Sequence, residues 1–398
     1  MESKDSKLAQ VTATIAQLGS MDVSDPSSQV DIIRQCQLVI NSLKDPRVQA
    51  LETLSSVVTL PCLASLSNLG IFKKLSDEPV TAAQLAEQCG VDRWLVVRLM
   101  RVATAWDLVT EIGLETYTAT EVSNVFASPP GAAGLRVNQM IHKLLDSLPA
   151  YLKETEYRNP GNTPKGLFQY AYQTELGSFA YLGQDPEYAK QFNTFMTIQR
   201  TQGQEQWTEK FDLASRVFDG VTIDQNVPLL VDVAGGVGKD LSLVKKSLPP
   251  SSTASGQLVL EDQGHVIDRV PTELQDSDFK YVKHDFFTPQ PVKGARVYML
   301  KHILHNWSNS KALQILRHTR DAMTPGYSKI WILDGIVPDT GADKTVAALD
   351  IGMMGIHGAL ERNEEQWDAL LAEAGLKFTG LCVLEDDGFG IIEAVVEV

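Results

Sequence analysis

Apolar positions follow a helical period through the first half of the chain and gather into short unbroken runs from residue 228 onward. Residues 1–28 are polar and end in Asp25-Pro-Ser-Ser, which predicts a loosely held arm. Helical spacing then runs from Ile32 to Leu43. It resumes from Arg47 to about Leu69, where Leu51, Leu54, Val57, Val58, Leu60 and Leu63 form the stripe and Pro61 predicts a kink or a split. Thr81 is placed to cap a short helix that Gly90 ends, and Asp92 to cap another through Leu95, Val96, Leu99 and Met100 to about Trp106. Leu108-Val-Thr-Glu-Ile and Glu115-Thr-Tyr-Thr-Ala-Thr alternate as two short strands. Helix, turn, helix and hairpin make a winged-helix pattern.

Residues 126–215 read as mostly helical, with turn signals at Pro129-Pro-Gly, Asn159-Pro-Gly and Asp185-Pro. Strands then alternate with helices: runs at 229–233, 257–261, 295–300 and 329–333 enclose helical patterns at Leu241–Leu248, Val266–Val270 and Lys311–Met323. That alternation predicts a parallel sheet with right-handed crossovers. Phe378–Glu385 and Ile391–Val398 are joined only by Asp386-Asp-Gly-Phe-Gly390, so they predict an antiparallel hairpin at one edge. The expected division is an arm at 1–28, a winged-helix domain at 29–125, a helical linker and pocket segment at 126–215, and an α/β domain at 216–398.

Composition changes this picture little. A chain of 398 residues exceeds the size at which one core usually suffices. The net charge of −15 argues against nucleic acid or an anionic membrane as the main partner. Arg93, Arg98 and Arg101 lie on the second helix of the winged-helix pattern, but that helix is rich in Val and Leu, so its expected role is architectural. Cys36, Cys62, Cys89 and Cys382 are scattered with no metal-ligand spacing, which suits thiols in a reducing compartment. The first residues lack the apolar core of a signal peptide and no run of 18 apolar residues occurs, so the expectation is a cytosolic protein with no membrane span.

The candidate chemistry starts at Pro228-Leu-Leu-Val-Asp-Val-Ala-Gly-Gly-Val-Gly238. A strand, a glycine turn and a helix let backbone N–H groups approach a nucleotide, and Gly235, Gly236 and Gly238 lack the Cβ that would block this. Leu258-Val-Leu-Glu-Asp262 is a second strand, and its terminal acid lies about 20 residues on, where a ribose-binding carboxylate belongs. Lys301, His302, His305, Asn306 and Trp307 follow the third strand, at the end that faces ligand in such a sheet. A histidine there can take a proton near neutral pH. Two histidines three apart could also hold a metal, but no Cys or carboxylate completes a site within the segment, so none is expected. Asp334, at the end of the fourth strand, and Glu361, in what reads as the acidic first turn of a helix, are candidates to orient an imidazole. Aromatic residues and methionines between 140 and 196 are core or the lining of an apolar pocket, with His142 and Gln199 as polar groups that could face it.

Together with Arg47-Val-Gln-Ala-Leu-Glu, Lys283-His-Asp-Phe-Phe287, Leu349–Met353 and the stretch from Glu361-Arg to Gly375, these motifs resemble the plant-and-fungal S-adenosylmethionine-dependent O-methyltransferases of the caffeate and flavonoid type. The resemblance covers nearly the whole chain from about residue 30. It implies a Rossmann-like methyltransferase domain, its mostly parallel sheet closed by an antiparallel C-terminal hairpin, plus a mainly helical winged-helix dimerisation domain that makes a homodimer. It implies that the glycine turn 235–238 holds the methionyl part of the cofactor and that Asp262 binds both ribose hydroxyls, with Asp232 also counted in the cofactor site. Asp285 and Phe286 would flank the adenine, and Lys301 would lie beside the cofactor. His305 would be the general base held by Asp334 and Glu361. Phe192, Met196 and Met353 would pack against a phenolic or enolic, aromatic or polyketide-like substrate of fungal secondary metabolism; His142 and Asn306 complete the candidate substrate-binding residues by their own positions in the chain. Three positions depart from the family pattern: Ala234 and Asp334 stand where Gly and Glu are usual, and Asn306 follows the histidine where Asp is usual. Some fungal proteins of this fold are pericyclases that bind the cofactor without transferring methyl, and that alternative stays open.

Overall fold

The computed structural model describes residues 4–161, 165–201, 207–219, 227–249, 257–342, 344–384 and 388–397. The chain divides into two compact units, Met1–Gln139 and Met140–Val398.

In the first unit, local capping sets the element boundaries. Thr81 and Gln84 form a reciprocal capping box that starts the helix Ala82–Cys89, and Gly90 ends it at φ 67°. Asp92 accepts the Leu95 N–H and starts Arg93–Ala105. Three short strands, β1 (Val80–Thr81), β2 (Thr110–Gly113) and β3 (Thr116–Thr118), pair antiparallel in the order β1-β3-β2. Leu66, Ile71, Phe72, Leu85, Val96, Met100 and Tyr117 are buried between helices and wing. The Arg47–Leu69 pattern splits into helices Pro46–Ser55 and Thr59–Asn68 around a 3₁₀ turn, Ser56–Val58. The break precedes Pro61 because a proline ring collides with the carbonyl four residues back, here Val57.

The polar arm is helical. Lys4–Leu18 forms one helix, and Asp25 caps a second, Pro26–Leu43. Leu8, Val11, Ile15 and Leu18 recur at helical spacing among polar neighbours, a stripe too thin to stand out in the sequence. Along Pro26–Leu43, the helix Pro46–Ser55 and the 3₁₀ turn that follows it, Ile33, Leu38, Leu43, Leu51, Leu54 and Val57 are exposed. By length and hydropathy alone Pro46–Asn68 would also suit a membrane span, against the expectation that no stretch would.

The second unit is built on seven strands: β4 (Leu230–Val233), β5 (Leu258–Asp262), β6 (Phe279–Lys283), β7 (Val297–Lys301), β8 (Lys329–Gly335), β9 (Lys377–Val383) and β10 (Phe389–Val395). Their order is β6-β5-β4-β7-β8-β10-β9. The first five run parallel, and β10 lies antiparallel to both β8 and β9. The hairpin is therefore at the expected edge, although part of its turn and Val398 fall outside the described residues. β6 was not foreseen, because its lysines interrupt the apolar run that marks the inner strands. Alternate residues serve opposite layers: Val231, Val233, Ile330 and Ile332 pack on one face, Leu230, Trp331 and Leu333 on the other. Pairing Val233 with Glu261 and Lys301 with Leu333 aligns the carboxyl ends of the strands. The order reverses between β4 and β7, and there an open α/β sheet offers its crevice.

Candidate active site

The turn after β4 is dictated by space. Ala234, Gly236 and Gly238 have φ of 60°, 63° and 82°, so the one residue of the three with a side chain is held where L-residues are strained. Gly235 is demanded differently. A Cβ there would lie 2.3 Å from Asp232 Oδ2 and 2.7 Å from Leu260 Cδ1, both in the packed interior. Asp262, at the end of β5, ties the turn down: Oδ2 accepts the Gly236 N–H at 2.9 Å and Oδ1 the Gln263 N–H at 2.7 Å. Burial raises the Asp262 carboxyl while these N–H groups hold it back. Each carboxylate oxygen can accept a further hydrogen bond, so two hydroxyls on neighbouring carbons could both be served. A cradle that a Cβ would fill, with an acid at its rim, fits a nucleoside-bearing cofactor.

The adenine wall expected at Asp285 and Phe286 is fastened from beneath. Buried Glu261 Oε2 pairs with His284 Nδ1 at 3.1 Å and accepts from Gln290 Nε2 at 2.8 Å. Burial acts to lower the His284 pKa, but Glu261 outweighs it and the imidazole is raised. Asp285 Oδ1 accepts the Phe287 N–H, and Phe286 and Phe287 meet the Trp307 ring edge-on. Lys301 is committed to an ion pair, its Nζ 2.5 Å from Asp240 Oδ1, which also accepts from Trp207 Nε1 at 3.2 Å. Asp240 was not singled out in the sequence.

The base follows from the end of β7. His302 sits at φ 53°, and a 3₁₀ turn, Leu304–Asn306, then presents His305. His305 Nδ1 is 2.8 Å from Glu361 Oε1. With Nδ1–H donated to the carboxylate, Nε2 is left to accept a proton. Burial depresses the His305 pKa, but the charges of Asp334 and Glu361 and the Glu361 hydrogen bond overcome it despite Arg362, so the imidazole is more basic than usual. Glu361 is not in a helical first turn as expected. Asn363, in a capping box with Gln366, starts the helix at Glu364, and Glu361 lies in the link before it, where its N–H donates to Asp350 Oδ1. Next to it, the buried Arg362 donates to the carbonyls of Leu304 and Trp307 and to Asn309 Oδ1. Burial pulls that guanidinium down to about 10. The clamp holds the turn that carries the base.

Asp334, wholly buried at the end of β8, makes no hydrogen bond to another side chain among the described residues, and the nearby His305 imidazole and backbone N–H favour its charged form. It acts on His305 through charge and stands 3.9 Å from His302 Nδ1. Burial pushes its carboxyl up to about 7. His302, His305 and Asp334 thus cluster with ligand atoms within 4.8 Å of one another, a grouping that no single segment revealed. The 3.9 Å separation is wider than two ligands at about 2.0–2.1 Å from one zinc would show. Asn306 uses an Nδ2 hydrogen on the His302 carbonyl, so it braces the turn as well as lying beside the base.

Around the base stands an apolar wall. The helix Lys344–His357 carries Met353, which packs with Met140, Leu144, Leu167, Phe168, Tyr172 and Tyr181. His357 Nδ1 is 2.9 Å from Ser178 Oγ and its ring stacks on Phe179 at 4.7 Å. Burial, with the nearby charge of His305, drives its pKa down to about 3, so it stays neutral. No sequence signal marked His357, since its partners are far away in the chain. His142 on the helix Pro129–Asp146, and Phe192 and Met196 on Pro186–Thr201, are half-buried. The Gln199 side chain lies outside the described residues.

The family of the O-methyltransferase domain matches residues 151–377, and that of the O-methyltransferase dimerisation domain matches residues 51–129. The chain is 35% identical to O-methyltransferase penC of Penicillium thymicola over 94% of this chain and 93% of that protein. Among solved structures it is similar to one described as a pericyclic reaction enzyme, at TM-score 0.85 and 26% identity, over 98% of this chain and all of that one. It is equally similar, at TM-score 0.85 and 26% identity, to LepI in complex with SAM, over 99% of this chain and all of that one.

Proposed function

Since the chain belongs to the O-methyltransferase family, we propose that it methylates a phenolic or enolic hydroxyl of an aromatic or polyketide-like fungal metabolite, with His305 as the general base. The observation that carries this is the His305–Glu361 pair, 2.8 Å apart at the same strand ends as the glycine turn. The enzyme uses S-adenosylmethionine, which supplies an electrophilic methyl group on a sulfonium. The Gly235–Gly238 turn and Asp262 would hold it, with Asp285 and Phe286 beside the base moiety. That chemistry asks of the protein mainly a deprotonated oxygen held in line with the methyl. His305 Nε2 takes the hydroxyl proton, Glu361 stabilises the imidazolium, and Arg362 keeps the turn in place. Met353, Phe192 and Met196 shape the apolar volume that excludes water from the oxyanion.

The exposed apolar stripe on the helices within 26–58 supports a homodimer made through residues about 30–125. Light scattering should give twice the chain mass at micromolar concentration, and a monomer would refute the reading. The four cysteines are free, in keeping with a reducing cytosol.

Incubating the protein with cofactor and candidate acceptors, and weighing the products, tests the reaction. S-adenosylhomocysteine and a product heavier by one methylene are expected, with His305→Ala losing about 10²–10⁴-fold in turnover while cofactor affinity is kept. The likeness to a pericyclic reaction enzyme supports a second reading. A product isomeric with the substrate or lighter by one water, formed with the cofactor intact, would establish that reading instead.

A further inference from the structure

At the ends of β5 and β6, neighbouring residues serve different places. Asp262 ties the glycine turn, while Glu261 before it is buried. Asp285 belongs to the expected adenine wall, while the side chain of His284 before it is buried against Glu261. The main chain joins the two strand ends, for the His284 N–H donates to the Asp262 carbonyl at 2.9 Å. A buried pair thus stands directly behind two residues of the cofactor site.

The His284 ring has an acceptor at each end. Nδ1 is 3.1 Å from Glu261 Oε2, and Nε2 is 3.4 Å from the Thr288 carbonyl. Neither partner can donate, so only the doubly protonated ring satisfies both contacts. Glu261 in turn needs that charge. Gln290 Nε2 donates to its Oε2 at 2.8 Å, but Oε1 has no hydrogen-bond partner among the described residues. A buried carboxylate with so few donors is costly without a cation beside it. Thr288 closes the loop by donating its N–H and its hydroxyl to the Asp285 carbonyl, at 2.8 and 2.6 Å.

We propose that His284, as an imidazolium held by Glu261, is a positioning residue for the loop that carries Asp285 and Phe286, so that cofactor affinity is proton-linked: high while His284 is charged and lower once it is neutral. The sign follows from the groups around the ring. Burial lowers the His284 pKa, but Glu261, the Thr288 carbonyl and Asp285 together raise it above 6.5. The charge is present below that raised midpoint and is lost as pH rises through it. One of the two hydrogen bonds then goes, and Glu261 is left as a buried anion with no cation beside it. Other groups nearby do not replace the lost charge. Burial pushes the Tyr298 hydroxyl on β7 up to about 12, so it stays neutral. Lys283 is paired with Asp268, and Lys311 lies over the Phe287 ring at 4.8 Å. The inference rests on the use of S-adenosylmethionine and holds whether or not methyl is transferred.

Calorimetric titration of the full-length protein with S-adenosylhomocysteine, from about pH 6 to about pH 9, measures affinity without turnover. NMR of histidine-labelled protein gives the His284 midpoint, with His284→Gln identifying its signal. Affinity should fall by about tenfold or more across that midpoint, the worth of a hydrogen bond to a charged group. The same factor must appear in reverse, so saturating S-adenosylhomocysteine should raise the midpoint by about one pH unit or more. His284→Gln, whose amide can still donate to Glu261, should bind more weakly than the native protein at the acid end and lack the fall. The difference between the two profiles removes what Asp262, His305 and the ligand's own amine contribute. Glu261→Gln leaves no buried anion to compensate and should lack the fall as well. Thermal melting reports whether each variant is folded, and the midpoint is read on the native protein. A midpoint unmoved by bound ligand, or a His284→Gln profile parallel to the native one, would overturn the proposal and leave the cofactor reading intact. Absence of binding at every pH would overturn both.

Discussion

Replacing Glu361 by Gln tests the catalytic reading at its foundation. The change keeps the shape and leaves an oxygen to accept from His305 Nδ1, but it removes the charge 2.8 Å away. A hydrogen bond to a charged group is worth about 1.5–3 kcal/mol, and one pH unit corresponds to about 1.4 kcal/mol. The His305 midpoint should therefore fall by about 1–2 units in Glu361→Gln. The sign follows from the balance of forces. Burial and Arg362 pull the imidazole down, Asp334 and Glu361 pull it up, and the upward forces win in the native protein. Turnover requires the neutral base, so the native rate should decline as pH drops through a value above 6.5, and the variant's acid limb should lie lower. Its plateau should also be lower, because a weaker base abstracts the proton less readily. Histidine-labelled protein followed by NMR gives the midpoint without any substrate, and His305→Ala identifies the signal among seven histidines. Asp334, at about 7, titrates in the same window, so the observed midpoints belong to the cluster. Asp334→Asn isolates its share. A midpoint in Glu361→Gln equal to or above the native one would refute the account, provided thermal melting shows the fold intact.

Other consequences are open to direct measurement. Asp262→Ala should weaken S-adenosylhomocysteine binding by at least about tenfold, since hydrogen bonds to a charged acceptor are worth about 1.5–3 kcal/mol each; calorimetry showing unchanged affinity would mean the ribose is held elsewhere. Ala234→Gly should stabilise the protein by about 0.5–1 kcal/mol, because relief of a left-handed alanine, worth about 1–2 kcal/mol, exceeds the added freedom of the unfolded chain; a lower urea midpoint would contradict this. His357→Phe should flatten the loss of stability on acidification. The folded imidazole has a pKa of about 3, so below 6.5 the unfolded chain takes up a proton that the folded one does not, at a cost of up to about 1.4 kcal/mol per pH unit. Identical pH slopes for the two proteins would show that His357 is not buried neutral.

The parts of the molecule that were legible beforehand are those whose causes are local. A glycine turn after an apolar strand, an acid at the end of the next strand and a histidine just past the third can be read from neighbours in the chain. What escaped depends on partners far away in sequence. Lys301 finds Asp240, Arg362 finds Leu304 and Trp307, and His357 finds Ser178 and Phe179. Asp334 was foreseen as an acid of the site, but the left-handed backbone of His302, whose imidazole comes within 3.9 Å of it, is announced by no residue type. Glu361 was placed in a helix because its neighbours are acidic, yet Asn363 caps more strongly and starts the helix at Glu364, on the far side of Arg362.

Glu361 and Arg362 are consecutive, and one steadies the imidazole while the other moors the turn that bears it. The base thus keeps its place through a compact brace whose hydrogen bonds go to main-chain carbonyls and Asn309, leaving the pocket side chains out of it. Substitutions at Met353, Phe192 or Met196 can alter which acceptor is admitted without unseating the proton acceptor. A lineage can then wander from one metabolite to another through single changes, each intermediate still chemically competent. The same separation tells a protein engineer where to randomise, and which stretch, from Leu304 to Asn309 with its anchor at Arg362, to leave alone.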